Sequence, residues 1–215
     1  GSNNVQQLND LSGNGNHMLQ AVSTQRPAYS ATGFQGSKPG MTFDGVDDFL
    51  SATVNQSGPW TVAGVGLISN IGAIRSFFDG DSSPRIAQYI RWNGSAWQSI
   101  AFNTTPASFG ATNAVGAVAG NAYTLSAVRD ATSVQIFTNG TSPGAAATTG
   151  TPNSGSGALR IGAGANFWAG SITEIVYCNT ALTTTDRQKL EGYLAWKWGQ
   201  QASLDVAHPY KSAAP

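Results

Sequence analysis

Phe167-Trp168-Ala169-Gly170-Ser171-Ile172-Thr173-Glu174-Ile175-Val176-Tyr177 decides the fold. An aromatic pair and a glycine lead into alternating residues rich in β-branched side chains, which predicts a strand with one embedded carboxylate. Period-two alternation puts Ile172, Glu174 and Val176 on one face and Ser171, Thr173, Ile175 and Tyr177 on the other. A helix start follows almost at once in Leu182-Thr183-Thr184-Thr185-Asp186. Thr183 as N-cap with Asp186 three residues on is a capping-box variant that complements the helix dipole, and Gly199 is a stop signal. A helix is therefore expected over 184–198, with Leu190, Tyr193, Leu194 and Lys197 as its stripe. Trp196 and Trp198 are expected to anchor it, and the tail with His208-Pro209-Tyr210 to lie extended against the body.

Working back from this segment, the chain is a succession of short strands. Trp60 to Ile68, Ile74 to Asp79, Ile86 to Trp92, Trp97 to Phe102, Tyr123 to Arg129, Ser133 to Thr138 and Ala158 to Gly162 alternate and are broken by Gly, Ser, Asn and Pro. Met41 to Leu50 reads as strand, Asp-Gly turn, strand, and Trp92-Asn93-Gly94-Ser95-Ala96-Trp97 as a hairpin in which Asn-Gly supplies positive φ. Residues 3–40 are polar, turn-rich and poor in periodicity and read as an extended lead-in, whereas 141–157 are too small and polar to pack and read as a long surface loop. Turn signals about every ten residues indicate an all-β sandwich. No internal repeat or linker divides the chain, so residues 3–215 are expected to form one domain, with Gly1-Ser2 a cloning remnant.

Composition excludes several functions. Eleven Lys and Arg balance eleven Asp and Glu, and only 10% of the residues are charged. A neutral surface has no electrostatic footprint for nucleic acid or an anionic membrane, and no apolar run is long enough to insert. Recognition must then work by shape, stacking and hydrogen bonding, which suits sugars. Cys178 is the only cysteine, so no intrachain disulfide forms, and it is expected to pack as a small hydrophobe.

Four segments occur in order along nearly the whole chain: Asp10-Leu11-Ser12-Gly13-Asn14-Gly15-Asn16-His17, Phe43-Asp44-Gly45-Val46-Asp47-Asp48-Phe49-Leu50, Val134-Gln135-Ile136-Phe137-Thr138-Asn139-Gly140, and Ile161-Gly162 through Gly199. Together they resemble the concanavalin A-like lectin/glucanase (laminin-G-like) superfamily, of the kind found in bacterial surface proteins and phage structural proteins. The resemblance implies an all-β, two-sheet antiparallel β-sandwich (jelly roll) with one short C-terminal helix. It further implies loops on one concave side that bind sugars or proteins, and a Ca²⁺ ion near the ligand face. It places the chain outside the cell, on a phage virion or a bacterial surface.

Catalytic constellations are missing. Laminarinase-type relatives carry Glu-x-Asp-x-x-Glu on one strand, because retaining hydrolysis needs two carboxyl groups about 5–5.5 Å apart. This chain has two glutamates, Glu174 on a strand and Glu191 on the predicted helix. Glu174 is expected to accept hydrogen bonds from the backbone or a nearby basic residue. His17 and His208 are far apart in sequence, no nucleophile elbow occurs, and one Cys with two distant His makes no zinc site. The chain is therefore expected not to be an enzyme.

Binding residues can be named. Trp92 and Trp97 flank the polar hairpin, with Tyr89, Arg91 and Asn93 beside them. They serve either as a stacking platform for pyranose rings or as edge packing of the hairpin, and the platform is the expectation carried forward. For calcium, Asp10-x-Ser12-x-Asn14-Gly15 resembles the start of an EF-hand loop but has Ala21 at the twelfth position. Asp44-Gly45-Val46-Asp47-Asp48 and Asp79-Gly80-Asp81 are further oxygen-rich turns, read either as Asx-turns or as ligand loops, with Asp79 and Asp81 the preferred ligands. The sequence thus points to a non-catalytic domain for a cell-surface glycan or polysaccharide. The alternative is a structural virion module, for decoration or tail assembly, that contacts only other virion or surface protein chains.

Overall fold

The computed structural model describes residues 3–56, 58–80, 87–102, 108–113, 115–142, 144, 146–147 and 155–215. In chain order the strands are Gln7–Leu8 (β1), Met18–Leu19 (β2), Ala28–Phe34 (β3), Lys38–Asp44 (β4) and Leu50–Gln56 (β5). Trp60–Ile68 (β6), Arg75–Gly80 (β7), Ala87–Trp92 (β8), Trp97–Phe102 (β9) and Ser108–Asn113 (β10) follow. Ala122–Arg129 (β11), Ser133–Thr138 (β12), Ala146–Ala147 (β13), Gly155–Ile161 (β14) and Ala169–Cys178 (β15) complete them, before the helix Thr184–Trp198 (α1). They form two antiparallel sheets, one in the order β1-β2-β5-β14-β7-β8-β9-β10 and the other in the order β13-β12-β11-β6-β15-β4-β3.

The expected sandwich is thus present. Its core lies between the sheets, with Trp60, Val62, Ile68, Phe77, Trp97, Leu125, Ile136 and Trp168 among the buried side chains. Gly64 and Gly66 on β6 face Phe77, whose ring would lie 3.0 Å and 2.6 Å from a Cβ at those positions. Two missing side chains therefore let an aromatic ring from the opposite sheet sit directly on the β6 backbone. A second apolar cluster, with Phe34, Ala63, Val65, Leu194 and Trp198, fastens α1 to the outer face of the second sheet.

The helix is capped as the sequence predicts: the Thr183 side chain accepts from Asp186 N–H, and Gly199 adopts φ +74°. Its buried face differs from the expected stripe. Arg187, Glu191, Gly192, Leu194, Ala195 and Trp198 are buried, whereas Tyr193 and Lys197 face out. A hydrophobic stripe cannot reveal this face because two of its members are charged and paired with each other.

Strand β15 also departs from simple alternation. Ile172 pairs with Gly66 and Glu174 with Val65, so β15 gains one residue on β6 between them. This β-bulge reverses the phase of every side chain after it. Ile172, Ile175 and Tyr177 consequently share the sandwich core, while Glu174 turns to the helix side. Thr173 Oγ1 donates to the Val65 carbonyl at 3.1 Å, which satisfies backbone at the irregularity. The Asp-Gly turn at 44–45 is likewise not a hairpin, because β4 and β5 belong to different sheets. The polar lead-in also holds more structure than its composition suggests, since β3 pairs with β4.

Candidate functional site

At the end of β4 the chain turns through an acidic loop before crossing to β5. Asp44 Oδ1 accepts from Val46 N–H at 2.8 Å and from Asp47 N–H at 3.3 Å, and Asp48 Oδ2 accepts from Asp44 N–H at 3.0 Å. Gly45 has φ +81°, and a Cβ there would lie 2.8 Å from that of Ala169. The closed turn brings carboxylate oxygens of Asp44, Asp47 and Asp48 within 4.8 Å of one another. Asp44 is exposed, Asp47 half-buried and Asp48 buried.

Burial pushes the Asp48 carboxyl above the usual aspartate range, and the charges of Asp44 and Asp47 push the same way against the hydrogen bond from Asp44. A divalent cation would relieve that repulsion. Three hard carboxylate oxygens with no sulfur or imidazole donor match the ligand chemistry of Ca²⁺. Arg75 fixes the surroundings: Nη1 donates to the carbonyls of Gly45 and Phe167, and Nε to that of Asn70. One buried guanidinium therefore ties three loops into a single loop end, where Val46 is 68% exposed.

Of the sequence-predicted site residues, Trp92 and Trp97 come together, but in the core and not at the surface. Trp92 and Trp97 are 3% and 0% exposed, so neither offers a face to a sugar. They are opposite each other across the β8–β9 hairpin and share one face, which is the core face. Their rings meet edge-on at 5.6 Å, and Trp97 also packs on Tyr123 and Trp168. Trp92 Nε1 donates to the Ile71 carbonyl. This corrects the platform expectation: alternation turns the two indoles inward and Arg91 outward, where it donates twice to Gln98 Oε1.

Asn93 stays in the turn, accepting from Ser95 and Ala96 N–H, with Gly94 at φ +98°. The Tyr89 side chain lies outside the described residues. So does the whole of Asp81. Asp79 is a buried strand residue opposite Arg160, and its carboxylate fills the space that a Cβ on Gly164 would need. Among the described residues, Asp44, Asp47 and Asp48 are the three carboxylates whose oxygens converge closely enough to hold a cation.

A second concave feature runs beside the last half of β15. It is a cavity of about 600 Å³ lined by every residue from Thr173 to Asn179. The loop holding Asp10, Ser12, Asn14 and Asn16 forms one wall, and apolar side chains of the opposite sheet form the floor. Asp10 organises that loop by accepting from Ser12 N–H at 2.8 Å and Asn16 N–H at 2.9 Å, so the EF-hand-like spacing is used for Asx-type turns. The hydrogen bonds with Ser12 and Asn16 hold its carboxyl below the usual range.

Both glutamates have structural partners. Glu174 accepts from Tyr193 Oη at 3.1 Å and Trp198 Nε1 at 2.8 Å, and pairs with Lys197 Nζ at 2.8 Å. Glu191 is buried between Ser126, which donates to Oε1, Arg187 at 2.5 Å and His208 at 3.2 Å. Sequence reasoning missed this cluster, though a charged pair at i and i+4 in a capped helix was its visible signal. Cys178 is half-buried, and burial pushes its thiol up, away from a reactive thiolate.

No family model matches the chain, and no curated protein matches it. Solved structures do resemble it. A Trypanosoma rangeli sialidase in complex with 2,3-difluoro-KDN gives a TM-score of 0.63 at 12% identity over 91% of this chain and 32% of its own. The receptor binding domain of botulinum neurotoxin D gives 0.59 at 6% identity, over 88% of this chain and 52% of its own. The heptameric SAP-like pentraxin of Limulus polyphemus gives 0.52 at 15% identity, over 70% of this chain and 80% of its own. The chain thus spans about a third of the sialidase and about half of the toxin domain. At these identities the likeness shows the β-sandwich fold. No helix among the described residues is long and apolar enough to cross a membrane.

Proposed function

We propose that the chain is a non-catalytic carbohydrate-binding domain, displayed on a phage virion or a bacterial surface, for a cell-surface glycan or polysaccharide. The observation that carries this reading is the loop end built on Asp44, Asp47 and Asp48, three carboxylates converging beside loops that Arg75 holds rigid. Ca²⁺ bound there would present open coordination positions to vicinal sugar hydroxyls. The likeness to a receptor binding domain and to a sialidase holding a sugar acid supports a glycan as ligand. The virion or surface location rests on the sequence resemblance alone. Non-catalytic action is supported by the engagement of both glutamates in structural hydrogen bonds.

The test is a glycan array probed with the purified domain in calcium and again in EDTA. Calcium-dependent binding that is lost in Asp47→Asn supports the reading in full. Binding indifferent to EDTA keeps the glycan and removes the metal. A blank array favours the second reading, a structural module that contacts protein chains.

A further inference from the structure

A further cavity, of about 660 Å³, opens beside the start of β4. Tyr29 of β3 stands opposite Met41 of β4, so the two side chains share the face turned toward the other sheet. Met41 is buried there, in the core. Tyr29 is 47% exposed, on the last strand of its sheet. Among the described residues no aromatic ring packs on Tyr29 and its hydroxyl makes no hydrogen bond.

Residues 3–8 form another wall. Val5 N–H donates to the Pro27 carbonyl at 2.8 Å and Tyr29 N–H to the Asn3 carbonyl at 2.7 Å, which bridges Asn4 to Ala28. The chain then crosses to β1 in the other sheet. Four primary amides, Asn3, Asn4, Gln6 and Gln7, thereby line the cavity from a stretch fixed by backbone hydrogen bonds, and Pro39 lies exposed on the β4 side. The Asn3 and Gln6 side chains make no hydrogen bond among the described residues, so each keeps its donors and its acceptor for a ligand. Among the described residues that line the cavity, none is charged.

This lining selects a class of ligand. A pyranose offers an apolar face of C–H groups to an aromatic ring and pairs of hydroxyls to planar amides. An ionic ligand would leave its charge unpaired in the cavity. An extended peptide finds no free ladder at residues 28–29, where residues 3–4 already pair. The volume lies within the range of about 300–1,000 Å³ that small-ligand sites occupy. We infer that the cavity is a second saccharide site, for an uncharged hexose oligosaccharide stacked on Tyr29 and held by the amides of Asn3 and Gln6. It shares with the proposed function only the class of ligand. Pro39 is roughly 17 Å from Asp44 along β4, at about 3.4 Å per residue, so binding here needs no cation and is tested apart from the acidic turn.

The probes are cellotetraose, maltotetraose and tetra-N-acetylchitotetraose, each titrated to millimolar concentration into the ¹⁵N-labelled full chain in EDTA. With at least one of them, the side-chain amide signals of Asn3 and Gln6 and the backbone amide of Tyr29 should shift saturably, while residues 44–48 stay still. Tyr29→Ala should weaken that binding by about tenfold, and Tyr29→Phe should keep most of it because the ring remains. Gln6→Ala, a change at an exposed side chain, should weaken it as well. High salt should leave it unchanged, and tetragalacturonate, a charged counterpart, should not bind. Dispersed spectra of each variant separate loss of binding from loss of fold. No shift at the cavity with any of the three sugars overturns the inference, as does full binding by folded Tyr29→Ala. Equal binding of tetragalacturonate overturns it too. Binding lost in Asp47→Asn but kept in Tyr29→Ala overturns it in favour of the acidic turn as the saccharide site.

Discussion

Glu191 in the helix and His208 in the C-terminal tail meet in the protein interior, His208 Nε2 to Glu191 Oε2 at 3.2 Å, each with about 1% of its side chain exposed. The same carboxylate takes Arg187 and Ser126, and the Arg187 guanidinium lies 3.6 Å from the centroid of the Phe137 ring. One buried group therefore binds sheet, helix and tail together. Removing it strands a buried guanidinium, and breaking such a pair is costly even where its net worth is small.

Glu191→Ala is accordingly expected to lower stability by about 3–5 kcal/mol in urea denaturation. His208→Ala, which leaves the Arg187–Glu191 pair intact, should lower it by less. Equal losses would show that the tail contact, and not the ion pair, dominates.

Gly170 lies at the start of β15 with φ +134°, and a Cβ there would fall 2.0 Å from the Leu67 carbonyl oxygen. The neighbour is backbone, so no rotamer change relieves the clash. Gly170→Ala is expected to yield no folded protein at ordinary temperature. Gly15→Ala is the control, because it has φ +74° with nothing within 4 Å. Only backbone strain applies there, about 1–2 kcal/mol.

Trp97→Ala should behave as a core mutation. Its indole packs on Trp92, Tyr123 and Trp168 and is wholly buried. A loss of about 3–5 kcal/mol is expected by denaturation. Ligand binding per folded molecule should be unchanged. A variant of full stability that had lost glycan binding would return the indole to a surface role.

The contrast between these residues explains what the sequence could reveal. The Thr183 cap, the Gly199 stop and the Asn93-Gly94 turn are local chemistry, and each was legible from a few neighbouring residues. Which face of the β8–β9 hairpin is buried was not, because two tryptophans beside polar residues fit a core as well as a platform. The β15 bulge was hidden for another reason. Nothing in Ile172-Thr173-Glu174 announces an extra residue, whose position is set by the ladder with β6. The face that Glu174 occupies and the helix residues it binds both follow from that one insertion. The acidic turn was visible as oxygen-rich, but its convergence rests on the backbone hydrogen bonds accepted by Asp44 and Asp48.

The acidic turn makes a pH prediction whose sign separates it from ordinary acid lability. Burial, with the charges of Asp44 and Asp47, raises the Asp48 carboxyl above its ordinary value of 3.8 in the folded protein. The folded state therefore binds a proton there more readily than the unfolded chain. Stability contributed by that proton is fully present below 3.8 and is lost as pH rises through the elevated folded value. Asp130 runs the other way. Burial raises it, but hydrogen bonds from Thr132 and Ser133 outweigh burial and depress it, so its stabilisation is lost on acidification below 3.8. Subtracting the pH–stability curve of Asp48→Asn from that of the parent removes Asp130 and isolates the turn. Without calcium, Asp48→Asn should be the more stable of the two at neutral pH, with the difference vanishing below the ordinary aspartate value. With calcium present, the parent alone should gain stability, since ion binding to the folded state stabilises by mass action. Equal calcium responses from the two proteins would remove Asp48 from the cation site and leave its raised carboxyl a matter of burial and its two charged neighbours.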